Sequence, residues 1–189
     1  MKRVFIAIKI NPGKDLADFI ASLKSDLKDE RISWTEKENI HITLAFLGDT
    51  EELMLGKVKD MLKRTCPMEE PFSILLRGAG VFKSFSDPRI LWAGIENSEK
   101  LVSLQGVIRT GLSESGISVE ERQFTPHLTL GRIRNIMNKE KLRSIIESNS
   151  GKEWQTVNVN EVTFYESILM QTGAVYRPME IYKLRRPAL

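Results

Sequence analysis

Apolar and polar positions recur with two different periods along the chain, and they predict an alternation of strands and helices. Residues 4–10 form a nearly continuous apolar stretch, which is typical of a buried strand. Apolar positions then recur at helical spacing from Leu16 to Leu27, after the start signal Asn11-Pro12. The chain is therefore predicted to begin with a strand followed by a helix.

The remainder of the chain continues this alternation. Further strands are predicted over 40–47, 72–82, 89–95, 127–133, 155–165 and 174–184, and further helices after Asp49, after Asn97 and over 138–147. We interpret Asp49 and Asn97 as the caps of the helices that follow them. No low-complexity linker divides the sequence. Residues 1–189 are therefore expected to form one domain of two lobes whose halves meet near residue 96, with an exchange of terminal strands allowed.

Composition places the chain among globular proteins, with 41% hydrophobic and 28% charged residues. The single cysteine, Cys66, cannot form an internal disulfide, so a reducing compartment and a cytoplasmic location are expected. Lys9 interrupts the first apolar stretch, which favours a strand over a signal peptide. No stretch approaches the ~18 apolar residues of a membrane-spanning helix. The net charge of +3 favours an anionic partner only weakly.

The chain has two histidines, and both stand in the frame His-apolar-Thr-Leu, at 41–44 and 127–130. Alternate side chains of a strand share a face, so each histidine points the same way as the threonine two positions later. The opposite face of each strand is assigned to the core, with Ile40, Ile42, Leu44, Phe46, Leu128 and Leu130. Each strand therefore offers an imidazole beside a hydroxyl.

Two imidazoles and two hydroxyls suit a displacement at phosphorus. One imidazole can activate the attacking oxygen while the other protonates the leaving oxygen, because a pKa near 6.5 makes both forms accessible. The hydroxyls can hold the non-bridging oxygens. Two other interpretations stay open: structural histidines beside good strand formers, and a metal site, although no third ligand stands at a recognisable offset. The near symmetry of the two frames leaves the acid and the base unassigned.

The two frames also resemble the paired HxTx motifs of the two-histidine phosphoesterases. The similarity extends to VFIAIKI, ENIHITLAFLGD, PRILWAGIEN, FTPHLTLGRI and YESILMQTGAVYRPMEIYKL, and it spans nearly the whole chain. These stretches look like the LigT-like RNA 2′,3′-cyclic phosphodiesterase branch of the 2′-5′ RNA ligase family. The resemblance implies an α+β fold of two pseudo-symmetric lobes. Each lobe would have a mainly antiparallel sheet with helices packed outside, and the active-site cleft would lie between the lobes.

The resemblance further implies an enzyme that uses no metal or other cofactor and opens RNA 2′,3′-cyclic phosphates to leave a 2′-phosphate. It makes His41 the proton donor and His127 the proton acceptor, and it implies 2′-5′ ligation of RNA as a secondary activity. The expected partner is RNA with a cyclic phosphate end, with tRNA fragments as one source. A monomer that needs neither a membrane nor an obligate protein partner is expected.

Further site residues are predicted around the two motifs. Thr43 and Thr129 are expected to bind the phosphate. Arg132 matches an arginine of the family and is expected to neutralise the phosphate, although strict alternation puts it on the core face unless Gly131 forms a bulge. The alternative is a strand-end arginine in solvent. Phe46 holds the equivalent position in the first motif, so the two halves are not chemically equivalent.

Aromatic residues near the motifs are weaker candidates. Phe124 and Trp34 precede the two motifs and are candidates for stacking on a nucleobase, with core packing as the alternative. Trp92 is interpreted as a core residue. Two further functions stay open: a catalytically silent protein that binds RNA ends, and a hydrolase of a small cyclic or 2′-5′-linked nucleotide. Two intact histidines argue against the silent protein, because capture of a phosphate does not require two acid-base groups.

Overall fold

The fold consists of two antiparallel β-sheets and four α-helices within the described residues of this computed structural model, which are 1–119, 123–170 and 173–185. The strands are β1 (Lys2–Lys9), β2 (Arg31–Trp34), β3 (His41–Thr50), β4 (Phe72–Lys83), β5 (Pro88–Glu96), β6 (His127–Asn135), β7 (Glu153–Val159), β8 (Glu161–Met170) and β9 (Gly173–Lys183). The helices are α1 (Lys14–Asp26), α2 (Glu52–Thr65), α3 (Glu99–Glu114) and α4 (Lys139–Ser148). The predicted α+β fold class is confirmed.

Each sheet takes strands from both halves of the chain. The first sheet has the order β3-β1-β8-β9, and the second has the order β2-β6-β5-β4-β7. A division of the chain near residue 96 therefore does not separate the strands of one sheet from the strands of the other. The physical reason lies in β1, which is buried on both faces and pairs with β3 on one side and with the C-terminal β8 on the other.

The predicted helices form, but the two predicted caps are wrong. The apolar stripes of α2 and α3 are buried as expected. β3 continues to Thr50, so Asp49 pairs with Arg3 of β1 instead of capping α2. Asn97 has a left-handed φ of 52°, and Ser98 is the residue that precedes α3. Asp49 was predicted as a cap because it follows the alternating pattern of residues 40–47. The pairing of β3 with β1 continues beyond that pattern to Thr50.

The strands differ from the sequence prediction at two places in the chain. The predicted strand over 155–165 is two strands, β7 and β8, which lie in different sheets and are separated by Asn160. No strand was predicted at β2, a four-residue strand at the edge of the second sheet. Its four residues alternate polar and apolar, which is the shortest pattern that predicts a strand.

β1, one of the two inner strands of the first sheet, separates the main core from the histidine face. Val4, Ile6 and Ile8 of β1 lie in the main core, which joins both sheets and all four helices. On the other face of β1, Phe5 and Ala7 form a second buried cluster with tyrosines of β8 and β9. Burial on both faces explains the continuous apolar stretch of this strand.

Candidate active site

His41 and Thr43 stand at the first and third positions of β3, on the face opposite the main core. Ile40, Ile42 and Leu44 point into the core as predicted. Phe46 was predicted for the core and is 43% exposed. The register between β1 and β3 shifts at Leu44, and one extra residue reverses the faces beyond it. This bulge turns Phe46 to the same face as the histidine.

His127 and Thr129 take the same two positions in β6, and the alternate residues Leu128 and Leu130 are buried. The register between β5 and β6 shifts beside Gly131, where the sequence analysis expected a bulge. Beyond this shift Ile133 returns to the core and Arg132 is exposed. The bulge therefore places Arg132 on the histidine face of the strand.

Gly131 is required by the close packing of β2 on β6. A Cβ atom at this position would lie 2.9 Å from Cγ2 of Ile32 and 3.2 Å from the Trp34 ring. Trp34 is half-buried and packs against the main core. Its contact with position 131 supports the backbone that presents Arg132.

The two imidazoles are oriented by equivalent hydrogen bonds. Nδ1–H of His41 donates to the carbonyl oxygen of Asn39 at 2.6 Å, and Nδ1–H of His127 donates to that of Thr125 at 2.7 Å. A carbonyl oxygen only accepts, so these bonds fix the Nδ1–H tautomer of the neutral ring. Nε2 of each ring is then the atom that can exchange a proton with a substrate.

The first imidazole has additional contacts. The hydroxyl of Thr43 lies 3.1 Å from Nε2 of His41, to which it donates when the ring is neutral. Phe5 and Tyr176 lie against the ring, with centroid distances of 4.9 and 5.1 Å. Lys9 is the cross-strand neighbour of His41 in β1. The first site therefore combines an aromatic enclosure with a nearby cation.

The second imidazole lies in a more open position against Phe82, whose ring centroid is 4.7 Å away and nearly perpendicular. Trp92, interpreted above as a core residue, pairs with Thr129 and is only half-buried. Its indole covers Gly80, where a Cβ atom would come within 2.2 Å of the ring. Cross-strand partners share a face, so Trp92 belongs to the histidine face. The pairing of Gly80 with Trp92 depends on the register between β4 and β5, so the sequence alone carried no signal for this placement.

Burial lowers the pKa of both histidines from their ordinary value. For His41 the bond to Asn39 opposes this shift, while Lys9, Arg132 and His127 lower the pKa further. For His127 the bond to Thr125 opposes it, and Arg132 again lowers the pKa. One guanidinium thus acts on both imidazoles. The protein's own charges favour two neutral rings, and an anionic phosphate between them would raise both pKa values.

A cavity of about 410 Å³ adjoins the two motifs and includes Thr43 and His127 in its wall. Phe124 lines it as well, whereas Trp34 is not among its lining residues. Helix α3 contributes Gln105 and Arg109, which the sequence analysis did not single out. Their position one helical turn apart, beside the buried stripe of α3, was visible in the sequence. The sequence did not show which part of the fold α3 packs against.

Among the described residues, no group of three His, Cys, Asp or Glu side chains is placed so that it could hold a metal ion. In the same part of the chain, no helix is both long and apolar enough to cross a membrane.

Comparison with known proteins identifies the family. A family model described as the 2′-5′ RNA ligase superfamily matches residues 12–168. The chain belongs to this superfamily. An RNA 2′,3′-cyclic phosphodiesterase of Methanothermobacter thermautotrophicus is 34% identical over 184 residues, which cover 96% of this chain and 98% of the relative. A protein of the same name from Thermotoga maritima is 34% identical over 178 residues, 93% of this chain and 91% of the relative.

Two solved structures share the fold of this chain. TT0787 of Thermus thermophilus superposes with a TM-score of 0.78 at 23% identity, over 98% of this chain and 100% of that structure. Escherichia coli LigT complexed with 3′-AMP gives 0.74 at 23% identity, over 98% and 99%. The predicted 2′-5′ RNA ligase family is confirmed by the family model, and these structures show the same fold.

Proposed function

We propose that this protein hydrolyses RNA ends that carry a 2′,3′-cyclic phosphate and leaves a 2′-phosphate. The observation that carries this proposal is the matched pair of imidazoles, each held through Nδ1 so that Nε2 is available. Relatives that match over nearly the whole chain bear the name RNA 2′,3′-cyclic phosphodiesterase, which supports the substrate class.

In the proposed reaction His127 is the base and His41 is the acid. Nε2 of His127 accepts a proton from water as the water oxygen attacks phosphorus. The bond between phosphorus and the 3′-oxygen breaks, and the 3′-oxygen takes the proton from Nε2 of His41. The products are a 2′-phosphate and a 3′-hydroxyl, and no metal enters the reaction. The resemblance to the family supports this order of roles.

The initial state needs a protonated His41 and a neutral His127. The pKa of His41 is lowered by burial and by neighbouring cations in the protein alone. A bound cyclic phosphate brings a negative charge next to both rings and raises their pKa values. Binding of the substrate therefore favours protonation of His41, while the neutral form of His127 that the reaction also needs is lost as the pH falls.

Arg132, Thr43 and Thr129 are proposed to hold the non-bridging oxygens of the phosphate. The bulge beside Gly131 places Arg132 on the histidine face of β6, and its charge lowers the pKa of both imidazoles, which supports a role at the phosphate. A guanidinium at that place counters the negative charge that develops during the displacement. The hydroxyl of Thr43 can exchange its contact with His41 for one with a phosphate oxygen.

The same groups suit 2′-5′ ligation as a secondary activity. A 5′-hydroxyl of a second RNA takes the place of water, attacks phosphorus and yields a 2′-5′ linkage with release of the 3′-oxygen. The superfamily name supports this extension. A cytoplasmic, monomeric protein that acts on RNA ends, including those of tRNA fragments, completes the proposal.

The test is hydrolysis of a short RNA ending in a 2′,3′-cyclic phosphate, in the presence of EDTA, with separation of 2′- from 3′-phosphate products. The expected result is a 2′-phosphate from the wild type and none from His41→Ala. Binding without hydrolysis would favour the silent end-binding protein. Hydrolysis of a cyclic mononucleotide with no gain from a longer RNA would favour the small-nucleotide hydrolase, because extra phosphates then add nothing to binding.

A further inference from the structure

Trp92 of β5 is connected to the second imidazole through a phenylalanine. Trp92 shares the histidine face with Thr129, its cross-strand partner in β6, and its ring centroid lies 5.5 Å from that of Phe82. The centroid of the Phe82 ring lies 4.7 Å from that of His127, and the two rings are nearly perpendicular. Phe82 therefore contacts both the indole and the imidazole.

Two glycines make room for the indole on this face of the sheet. A Cβ atom at Gly80 would lie 2.2 Å from Cζ2 of Trp92, and one at Gly94 would lie 3.5 Å from Cζ3. Gly94 is the cross-strand partner of His127, so β5 places no side chain directly beside the imidazole. The edge of the indole comes within van der Waals distance of that position instead.

The indole nitrogen of Trp92 is buried and has no hydrogen-bond partner among the described residues. A buried donor without a partner costs free energy, because it loses its hydrogen bonds to water. By contrast, Nε1 of Trp154 in β7 donates to the carbonyl oxygen of Gly78 at 2.8 Å. A phenylalanine at position 92 would bury no unpaired donor. The contribution of Trp92 therefore comes from the size of its ring and not from its N–H group.

We propose that Trp92 is a positioning residue for His127: its ring holds Phe82 against the imidazole and so keeps Nε2 of His127 directed at the phosphate. This inference rests on the proposed function, in which His127 is the base. The hydrogen bond from Nδ1 to the carbonyl oxygen of Thr125 fixes one atom of the ring and leaves the ring free to tilt. Phe82 limits that tilt. Because Phe82 also lines the cavity, a smaller ring at position 92 allows it to move away from the imidazole.

The experiment compares Trp92→Phe with the matched control Trp154→Phe on the cyclic phosphate RNA. Trp92→Phe is expected to lower kcat about 10-fold with KM near the wild-type value, since a misplacement of about 1 Å costs up to about 10²-fold. Trp154 is 3% exposed and lies on an edge strand of the same sheet. Trp154→Phe is expected to keep kcat and to lower Tm more than Trp92→Phe, because only Trp154 loses a hydrogen bond.

A double-mutant cycle tests whether Trp92 acts through Phe82. Phe82→Leu removes the ring that contacts His127, so it is expected to lower kcat by itself. If the indole acts only by holding Phe82, the double variant of Trp92→Phe and Phe82→Leu loses about as much as Phe82→Leu alone. A double variant that loses the product of both effects would overturn this route.

The pKa of His127 gives a readout that a merely structural role does not change. The chain has two histidines, so NMR can follow the titration of each imidazole. Burial lowers the pKa of His127, and the charge of Arg132, which stays in place, lowers it further. Trp92→Phe loosens the contact with Phe82 and exposes the ring to water. The pKa of His127 is therefore expected to rise toward its ordinary value, while that of His41 stays near its wild-type value. The acidic limb of kcat/KM is expected to move to higher pH with it, because the base must be neutral.

Two further results would overturn the inference: an unchanged kcat in Trp92→Phe, or equal losses of kcat in Trp92→Phe and Trp154→Phe. Failure of the proposed function has a different signature, because then the wild type does not hydrolyse the RNA either. The NMR titration needs no substrate and decides in that case. An unchanged pKa of His127 in Trp92→Phe would reject the positioning role.

Discussion

The two histidine strands share one backbone plan and differ in what surrounds each imidazole. Both rings follow the same frame, stand at the start of a strand and donate Nδ1–H to the carbonyl oxygen two residues earlier. His41, however, is enclosed by Phe5 and Tyr176 and lies beside Lys9, whereas His127 has one edge-on contact with Phe82. The same acid-base group is thus presented in two electrostatic settings.

The residues five positions after the two histidines, Phe46 and Arg132, differ more than the surroundings of the two rings. A bulge turns a phenylalanine to the histidine face in the first strand and an arginine in the second. Phe46 lines the cavity, while Arg132 lowers the pKa of both imidazoles. Equivalent backbone irregularities therefore turn an aromatic ring to the histidine face of one strand and a cation to the histidine face of the other. This difference makes fixed acid and base roles physically reasonable in a duplicated frame.

The largest expected effect comes from removing either imidazole. His41→Ala and His127→Ala are each expected to lower kcat on the cyclic phosphate RNA by about 10²- to 10⁴-fold, because each removes one proton transfer. The double variant is expected to cost little more than either single change, since the two rings act in one step. Thermal unfolding of each variant checks that the fold is intact. A double variant that loses the full product of both effects would show that the rings act independently.

Arg132→Ala is expected to have the next largest effect, a loss of about 10²-fold in kcat/KM, comparable to the loss of one charge-stabilising donor in other enzymes. Arg134→Ala is the matched control, because it removes the same charge from an exposed position of the same strand. Arg132→Lys tests whether charge alone suffices or the forked guanidinium is required. Equal small losses for Arg132→Ala and Arg134→Ala would return Arg132 to the role of a solvated strand-end residue.

Lys9→Met tests the electrostatic difference between the two sites. The cation lowers the pKa of His41, and no such effect of Lys9 accompanies the shift of His127. Its removal is therefore expected to raise the pKa of His41 and to move one limb of the pH profile of kcat/KM to higher pH. If His41 is the proton donor, the basic limb moves, because that limb reports the group that must stay protonated in the free enzyme.

The pH profile of the wild type is the reference for the shift expected in Lys9→Met. Both histidines have lowered pKa values, so the wild-type optimum of kcat/KM is expected below about pH 6.5, with the kcat profile displaced to higher pH by the bound phosphate. Lys2→Met at the other end of β1 is the control, since Lys2 pairs with Thr50 rather than with His41. A shift of the acidic limb alone in Lys9→Met would reverse the assigned roles.

Local periodicity was sufficient to predict which face carries the histidines. Alternation alone put His41 and Thr43 opposite Ile42 and Leu44, because side chains of a strand change face at every residue. A glycine inside β6 was enough to expect the bulge that turns Arg132 outward. Both features are determined by residues that are adjacent in the sequence, so they could be predicted from the sequence alone.

Features that depend on distant packing could not be predicted in this way. The bulge at Leu44 has no glycine to mark it, so Phe46 was assigned to the wrong face. The pairing of Lys9 with His41 depends on the register between β1 and β3, which tertiary packing determines. Likewise, the position of Gln105 at the cavity depends on how α3 packs against β3.

The smallest expected effect concerns the segment that carries the acceptor for His41. Nδ2 of Asn39 donates to the carbonyl oxygen of Ala174 at 2.9 Å, which ties this segment to β9, while the backbone oxygen of the same residue accepts from Nδ1 of His41. Asn39→Ala removes the tie and keeps the backbone acceptor. Loss of one hydrogen bond of this kind, about 0.5–1.5 kcal/mol, predicts a decrease of roughly 2- to 10-fold in kcat.

Separate measurement of kcat and KM distinguishes a loss of His41 orientation from a general loss of stability. Looser orientation of His41 lowers kcat while KM stays near the wild-type value, because Arg132 and the second strand still bind the phosphate. Asn158→Ala, which removes the exposed side-chain hydrogen bond between Asn158 and Ser73 at the paired strands β4 and β7, is the control. If both variants lower kcat to the same extent, the tie to β9 contributes only stability. A selective loss in Asn39→Ala would show that the first imidazole depends on the C-terminal hairpin, a connection for which the second strand has no counterpart among the described contacts.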